Sequence, residues 1–559
     1  MALDILEKFP PLLKESIRMV ERTRSERIDA YRRGDVFPYL SLSDRQAWLK
    51  EYHPDYRSDG KRALQVGPSK GLVCANELAD LLESWPRPVV REKIGSQMPV
   101  TITADVLIIG GGGAGSVAAI AAAEAGAKVI LATKLRHGDS NTIMAEGGIQ
   151  VADQECDSPQ AHFLDVMGGG HFTNDADLVE ALVTDGPAIL GWLEESGMLL
   201  DKYPTGRLKV RHGGGTSRKR LHSSGDVTGL EMMRVIRDRA ESLANITVLP
   251  FSPAVELLTD DNGRAVGALL EHALTGALQL VRAGAVVLAT GGLGRIHLQG
   301  FPTSNHYGAT ADGLVMAYRA GLPVRDLQYN QYHPTGIAFP ESNLGLLVTE
   351  KFRGLGAQII NRYGDEFVNS LEPRDVTTSA ILRECFEFNN GVPTPGGGTG
   401  VWLDVPMIDL IHGRNTIEKE FPGRFREFMH KGMDIRKVPI LTFPTLHYQN
   451  GGVVISADGG TDMPGLFAAG EVTGGVHGNN RLMGNALLEI MVFGLRAGRS
   501  AANFVSERGL GGEPGLSHVE AFMEQLETAQ VPDTRQAPRV LPNSVRPVVL
   551  QQSRSGMEV

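Results

Sequence analysis

The chain has 559 residues, 42% of them hydrophobic and 21% charged. This is an ordinary globular composition, with length for three to four domains at about 150 residues each. Lys+Arg 55 against Asp+Glu 65 leaves a net charge of −10, which argues against a nucleic-acid partner. Cys74, Cys156 and Cys385 form no CxxC pair, which excludes a disulfide framework, a zinc ribbon, a four-cysteine Fe–S cluster and a CxxCH haem site; any such redox centre serving this chain sits on another polypeptide.

Residues 1–99 read as a helical extension, with charged helices predicted over about 12–33 and 42–51. The first residues lack an apolar run behind a basic start, and Arg32-Arg33 is followed by Gly-Asp, so neither a signal peptide nor twin-arginine export is expected. No stretch of 18 apolar residues occurs, so no membrane span is expected. A cytoplasmic protein follows, peripheral to a membrane only through a partner. The extension suits either a solvated cap or a docking surface for an electron-transfer partner.

At Thr101 the texture changes. Asp105–Ile109 is a near-continuous apolar run, as a buried parallel strand requires. Gly110–Gly115 follows, then an alanine-rich helix over 116–126 and a second strand over 128–133. Gly110, Gly112 and Gly115 fit GxGxxG: one for the turn, one for backbone approach to a pyrophosphate, one for helix–strand packing. Lys134 stands where an NAD enzyme shows an acid for the ribose, so FAD fits better. Further buried strands, 285–290 and 465–470, also end in glycine turns. The second is followed by Glu471, placed for a ribose or ribitol hydroxyl. The reading is α/β: a two-part Rossmann-like FAD-binding domain (100–328 and 442–505) interrupted by an α+β capping domain (329–441). A short helix over 517–529 and a tail complete the segment 506–559.

Five segments, in order, resemble the fumarate reductase/succinate dehydrogenase flavoprotein family, which includes L-aspartate oxidase. They are Gln331–Gly336 (QYHPTG), Thr349–Gly354 (TEKFRG), Phe367–Asp375 (FVNSLEPRD), Leu446–Gly452 (LHYQNGG) and Gly470–Asn485 (GEVTGGVHGNNRLMGN). The last looks most like the soluble fumarate reductase branch, whereas Arg218–Gly229 looks more like the aspartate oxidase branch. The resemblance spans about 101–500. It implies that His333, His447 and Arg481, with Thr349 beside them, hold the carboxylates of a small dicarboxylate. It implies Arg374 as the catalytic acid above the substrate double bond, resupplied through Glu350 and Arg353, while hydride passes at flavin N5. It further implies cofactor contacts from Lys134, Asn141, Glu146, Gly147, Gly148, Asp312, Glu471, Asn485 and Leu487. No metal site is expected. The remaining histidines, such as His53, His162 and His518, read as structural.

Two departures bear on function. Asn141 stands where membrane-bound members carry the histidine that bonds covalently to FAD, so the resemblance implies non-covalent FAD and favours the reductive direction. Gln449-Asn450 replaces the family's Thr-Met beside the substrate, which points to a changed dicarboxylate. The leading reading is therefore an FAD-dependent reductase of a fumarate-like dicarboxylate, served by a separate Fe–S subunit or carrier. The alternatives are an L-aspartate oxidase-like enzyme and a non-catalytic electron-relay subunit.

Overall fold

The computed structural model describes residues 9–96 and 99–542. Its central element is a seven-stranded sheet. Strand Ile102–Ile109 ends in four fully buried residues. It pairs in parallel with Val129–Ala132 on one side and Leu278–Leu288 on the other. Strand Ile246–Leu249 extends the parallel side. The long strand Leu278–Leu288 is a junction. Its first half pairs antiparallel with Ala265–Glu271, while its last residues pair in parallel with Leu466–Ala468, nearly 180 positions later in the chain.

Helix Gly113–Glu124 begins three residues before the predicted start, with Gly112 as its N-cap, and buries every residue but the last. It needs small side chains because helix Asn485–Arg508 lies against it: a Cβ at Gly498 would come within 2.2 Å of the Ala118 carbonyl oxygen. The two halves of the dinucleotide fold are thus pressed together backbone to backbone.

A second, five-stranded sheet stands over the first. Its long antiparallel strands are Asn330–Phe339 and Ile440–Gln449, followed by Thr399–Asp404 and Gln358–Ile360. Helix Arg374–Phe386 packs on this sheet and buries eleven of its residues from Arg374 to Cys385.

The N-terminal helices are Pro11–Arg33 and Leu42–Tyr52. The first is not merely a solvated cover. It buries Leu13, Ile17 and Val20 and sends Arg24 and Arg27 to the buried Asp404, at 2.8 and 2.7 Å. Trp402 Nε1 donates to Ser16 Oγ at 2.7 Å. Helix Ser517–Thr528 closes the other end of the described chain. Among the described residues, no helix is long and apolar enough to cross a membrane.

Candidate active site

A large cavity runs from the glycine turn to the second sheet. It holds about 1710 Å³ of space, its open mouth included, against ~300–1,000 Å³ for typical small-ligand sites. Gly110 and Gly112 line its sheet end. Gly110 has φ +123°, a conformation natural to glycine alone. Gly115 lies behind them: a Cβ there would sit 1.8 Å from the Gly110 carbonyl oxygen.

Lys134, Asn141, Glu146, Gly147, Gly148, Asp312, Glu471 and Leu487 all line the cavity, as expected. Lys134 Nζ reaches Asp312 at 2.5 Å and Thr310 Oγ1 at 2.6 Å. The Asn141 amide is fully engaged: Nδ2 donates to Asn305 and Glu471, and Oδ1 accepts from the His306 N–H. Burial pushes the Glu471 carboxyl up to about 7. It does the same to Glu146, also to about 7, against the opposing pull of Arg424.

Asn485 departs from expectation. It does not line the cavity; it opens helix Asn485–Arg508, and its Oδ1 lies 3.0 Å from His162 Nε2 in the core. The Gln449-Asn450 pair is likewise turned away. Gln449 Nε2 donates to the Gly451 carbonyl and Asn450 Nδ2 to that of Asn479, so neither side chain shapes the cavity wall.

The opposite end of the cavity gathers His333, Thr349, Glu350, Arg374, His447 and Arg481. His333 and His447 come from the paired long strands, with ring centroids 5.2 Å apart. Burial, reinforced by neighbouring guanidiniums, holds both imidazoles well below the usual histidine range, so both are neutral. The Thr335 N–H donates to His333 Nδ1 at 3.2 Å. The ring proton therefore sits on Nε2, which is buried without a partner. Ser304 Oγ lies 2.7 Å from His447 Nδ1 and fixes that ring.

Arg374 Nε donates to Glu350 Oε2 at 2.9 Å, and Arg353 NH2 lies 3.3 Å from the same oxygen. Burial alone would raise the Glu350 carboxyl, but the Arg374 and Arg353 charges outweigh it and hold the group below its usual range. Arg353 does not line the cavity; it stands behind Glu350 and donates to the Ser370 carbonyl at 2.6 Å. Burial draws Arg481 down to about 10. Its guanidinium lies 4.4 Å from the Tyr448 ring centroid, and its Nε is buried without a partner.

Two residues escaped the sequence reading. Gln331, inside a recognised motif, bridges the arginines: Oε1 accepts from Arg374 NH1 and from Arg481 NH2, each at 2.9 Å. Arg424, on helix Pro422–His430, reaches into the cavity and pairs with Glu146. No motif marks it.

A family described as an FAD binding domain matches residues 105–487. One of the two-thiol (CoM/CoB) fumarate reductase chains of Methanothermobacter marburgensis is 40% identical over 440 residues, covering 76% of each chain. The chain belongs to the fumarate reductase/succinate dehydrogenase flavoprotein family. The L-aspartate oxidase of Streptomyces coelicolor is 36% identical, covering 71% of this chain and 68% of that one. A solved structure of Escherichia coli quinol fumarate reductase matches with a TM-score of 0.69 and 33% identity, covering 77% of this chain and 74% of that one.

The flavoprotein is an FAD-dependent oxidoreductase. Its cavity fits the cofactor on its own terms. Thr290 Oγ1 and Glu146 Oε2 both belong to cavity-lining residues and are buried without partners. The N-terminus of helix Gly113–Glu124 faces the glycine turn, where a pyrophosphate is stabilised by the helix dipole.

Proposed function

We propose that this flavoprotein reduces a fumarate-like C4 dicarboxylate. The observation that carries the reading is the shared Gln331 oxygen, which holds Arg374 and Arg481 side by side in a buried cavity wall. Two fixed guanidiniums beside a neutral imidazole donor make a natural receptor for a dianion. In this reading Arg481, His333, His447 and Thr349 hold the carboxylates. Clamping both ends fixes the alkene and supplies orientation. Bound FAD supplies hydride exchange with the substrate carbon.

The chain's own share of the chemistry is the proton. Arg374 stands at the cavity wall with Glu350 behind it and Arg353 behind Glu350. Arginine stays protonated in proteins, so Arg374 gives up a proton to the second alkene carbon only as Glu350 replaces it. Arg353 keeps Glu350 ionised between transfers. A substrate ammonium group, as in an amino-acid oxidase, would need a free carboxylate here. Glu350 is already occupied by Arg374, Arg353 and the Gly214 N–H at 2.7 Å. The aspartate oxidase-like segment Arg218–Gly229 is structural: Arg220 pairs with Asp157 and Asp165, and Asp226 accepts from the first N–H groups of helix Pro422–His430.

The engaged Asn141 amide supports non-covalent FAD. Electrons then arrive from a separate protein, since Cys74 and Cys385 are buried apart and Cys156 is exposed. The test is anaerobic. Fumarate should reoxidise the reduced flavin rapidly, succinate should bleach the oxidised form weakly, and L-aspartate should leave it unchanged. Arg481→Ala should mainly raise KM, and Arg374→Ala should mainly lower kcat. Bleaching by aspartate, or equal and small effects of the two substitutions, would overturn the proposal.

A further inference from the structure

The segment 37–56 lies outside the part of the chain that matches the FAD-binding family. Its helix, Leu42–Tyr52, buries only Leu49, so the segment contributes almost nothing to the core. Its polar contacts instead converge on the elements that carry Arg374 and Gln331.

At one end, Asn369 Nδ2 donates to the Phe37 carbonyl at 2.7 Å, and the Leu40 N–H donates to Glu372 Oε1 at 2.7 Å. Arg45 NH2 lies 2.8 Å from Glu372 Oε2, on a carboxylate with 0% side-chain exposure. Glu372 stands two residues before Arg374. Further along, the Arg383 guanidinium sits 4.6 Å from the Trp48 ring centroid, and Tyr52 donates to Glu387. The segment's helix therefore runs beside helix Arg374–Phe386 from its first turn to its last. Past the helix, Asp55 Oδ2 accepts from the Asn330 N–H at 2.7 Å. Asn330 opens the strand that carries Gln331 and His333.

We propose that residues 37–56 form a strap that positions Arg374 for proton delivery, with Arg45–Glu372 and Asp55–Asn330 as its two pins. The proposal rests on the reductase reading above. One pin fixes the loop before Arg374, and the other fixes the strand whose Gln331 receives the Arg374 guanidinium. Neither Arg45 nor Asp55 lines the cavity, so both are positioning residues. Their loss should be felt in turnover and not in substrate binding.

The experiment uses the FAD-loaded full chain with reduced viologen and fumarate. Arg45→Met should lower kcat about tenfold, below the ~100-fold that a 1 Å misplacement costs, with KM within twofold. Arg45→Lys, which keeps the ion pair, should recover most of the rate. Unchanged kcat in Arg45→Met, or a KM rise matching the kcat loss, would overturn the strap. Fumarate turnover by the wild type tests the reductase reading separately. If the wild type fails there, deuterium uptake still decides the strap. Faster exchange in Arg45→Met confined to residues 366–386 supports it, and unchanged exchange there refutes it.

Discussion

Gln331→Leu tests the bridge on which the substrate receptor depends. Gln331 is 2% exposed. Its oxygen takes one bond from Arg374 and one from Arg481, and its nitrogen donates to Asn480 Oδ1 at 2.8 Å and the Arg481 carbonyl at 2.6 Å. Leucine has nearly the same bulk and no acceptor. Each lost hydrogen bond to a charged group is worth about 1.5–3 kcal/mol, and water entering the gap restores part of that. A net loss of about 2–4 kcal/mol in transition-state stabilisation corresponds to ~30–1,000-fold in kcat/KM. Gln331→Glu keeps the shape and holds both arginines, but its charge cancels the field that attracts a dianion. That variant should fail chiefly through KM. Initial rates of anaerobic fumarate reduction, normalised to bound flavin, read both. A leucine variant with full flavin and kcat/KM within about threefold of wild type would show that the two arginines do not depend on the bridge.

Gly115→Ala places a methyl group against backbone that has no room to move, so the purified variant should carry almost no flavin; a stoichiometric flavin-to-protein ratio would contradict the packing argument. Burial pushes the Cys74 and Cys385 thiols up to about 12, while Cys156 is exposed. Ellman's reagent should therefore titrate one thiol in the native protein and three in urea, and a second fast-reacting native thiol would contradict the burial. Burial raises the Glu366 carboxyl from 4.5 to about 7 against the weaker pull of Arg27. The folded state thus holds that proton more tightly than the unfolded chain, and stability falls as pH rises from about 4.5 to 7. Glu366→Gln should stabilise the protein by about 1–3 kcal/mol at pH 8 and change little at pH 4.5. Equal shifts in urea midpoint at both pH values would refute that assignment.

What could be read from the chain alone was local. The Asp105–Ile109 run and Gly110, Gly112 and Gly115 declare a strand, a turn and a helix within a few residues, because each obeys a short-range rule. His333, Glu350, Arg374, His447 and Arg481 come from separate segments, and only their resemblance to a family gathers them before the fold does. Gln331 sat in plain view inside a motif, but its role exists only where two distant guanidiniums meet. Asn485 looked like part of a cofactor motif, yet its side chain serves His162, because the helix it opens leads away from the cavity. Charge composition said that Pro11–Arg33 was a helix and not what it faced: Asp404, which collects Arg24 and Arg27, lies some 380 positions away.

The junction strand Leu278–Leu288 also sets a clock. Its parallel partner Leu466–Ala468 and the helix Asn485–Arg508 that presses on the glycine turn are among the last described parts of the chain to be synthesised. At about 5–20 residues per second, the turn at Gly112 waits roughly 20–75 s on the ribosome before its wall is complete. Flavin therefore has no finished cradle to enter during most of synthesis. Loading becomes an event of the nearly released chain, and a ribosome stalled anywhere before about position 490 leaves a nascent protein without a flavin site.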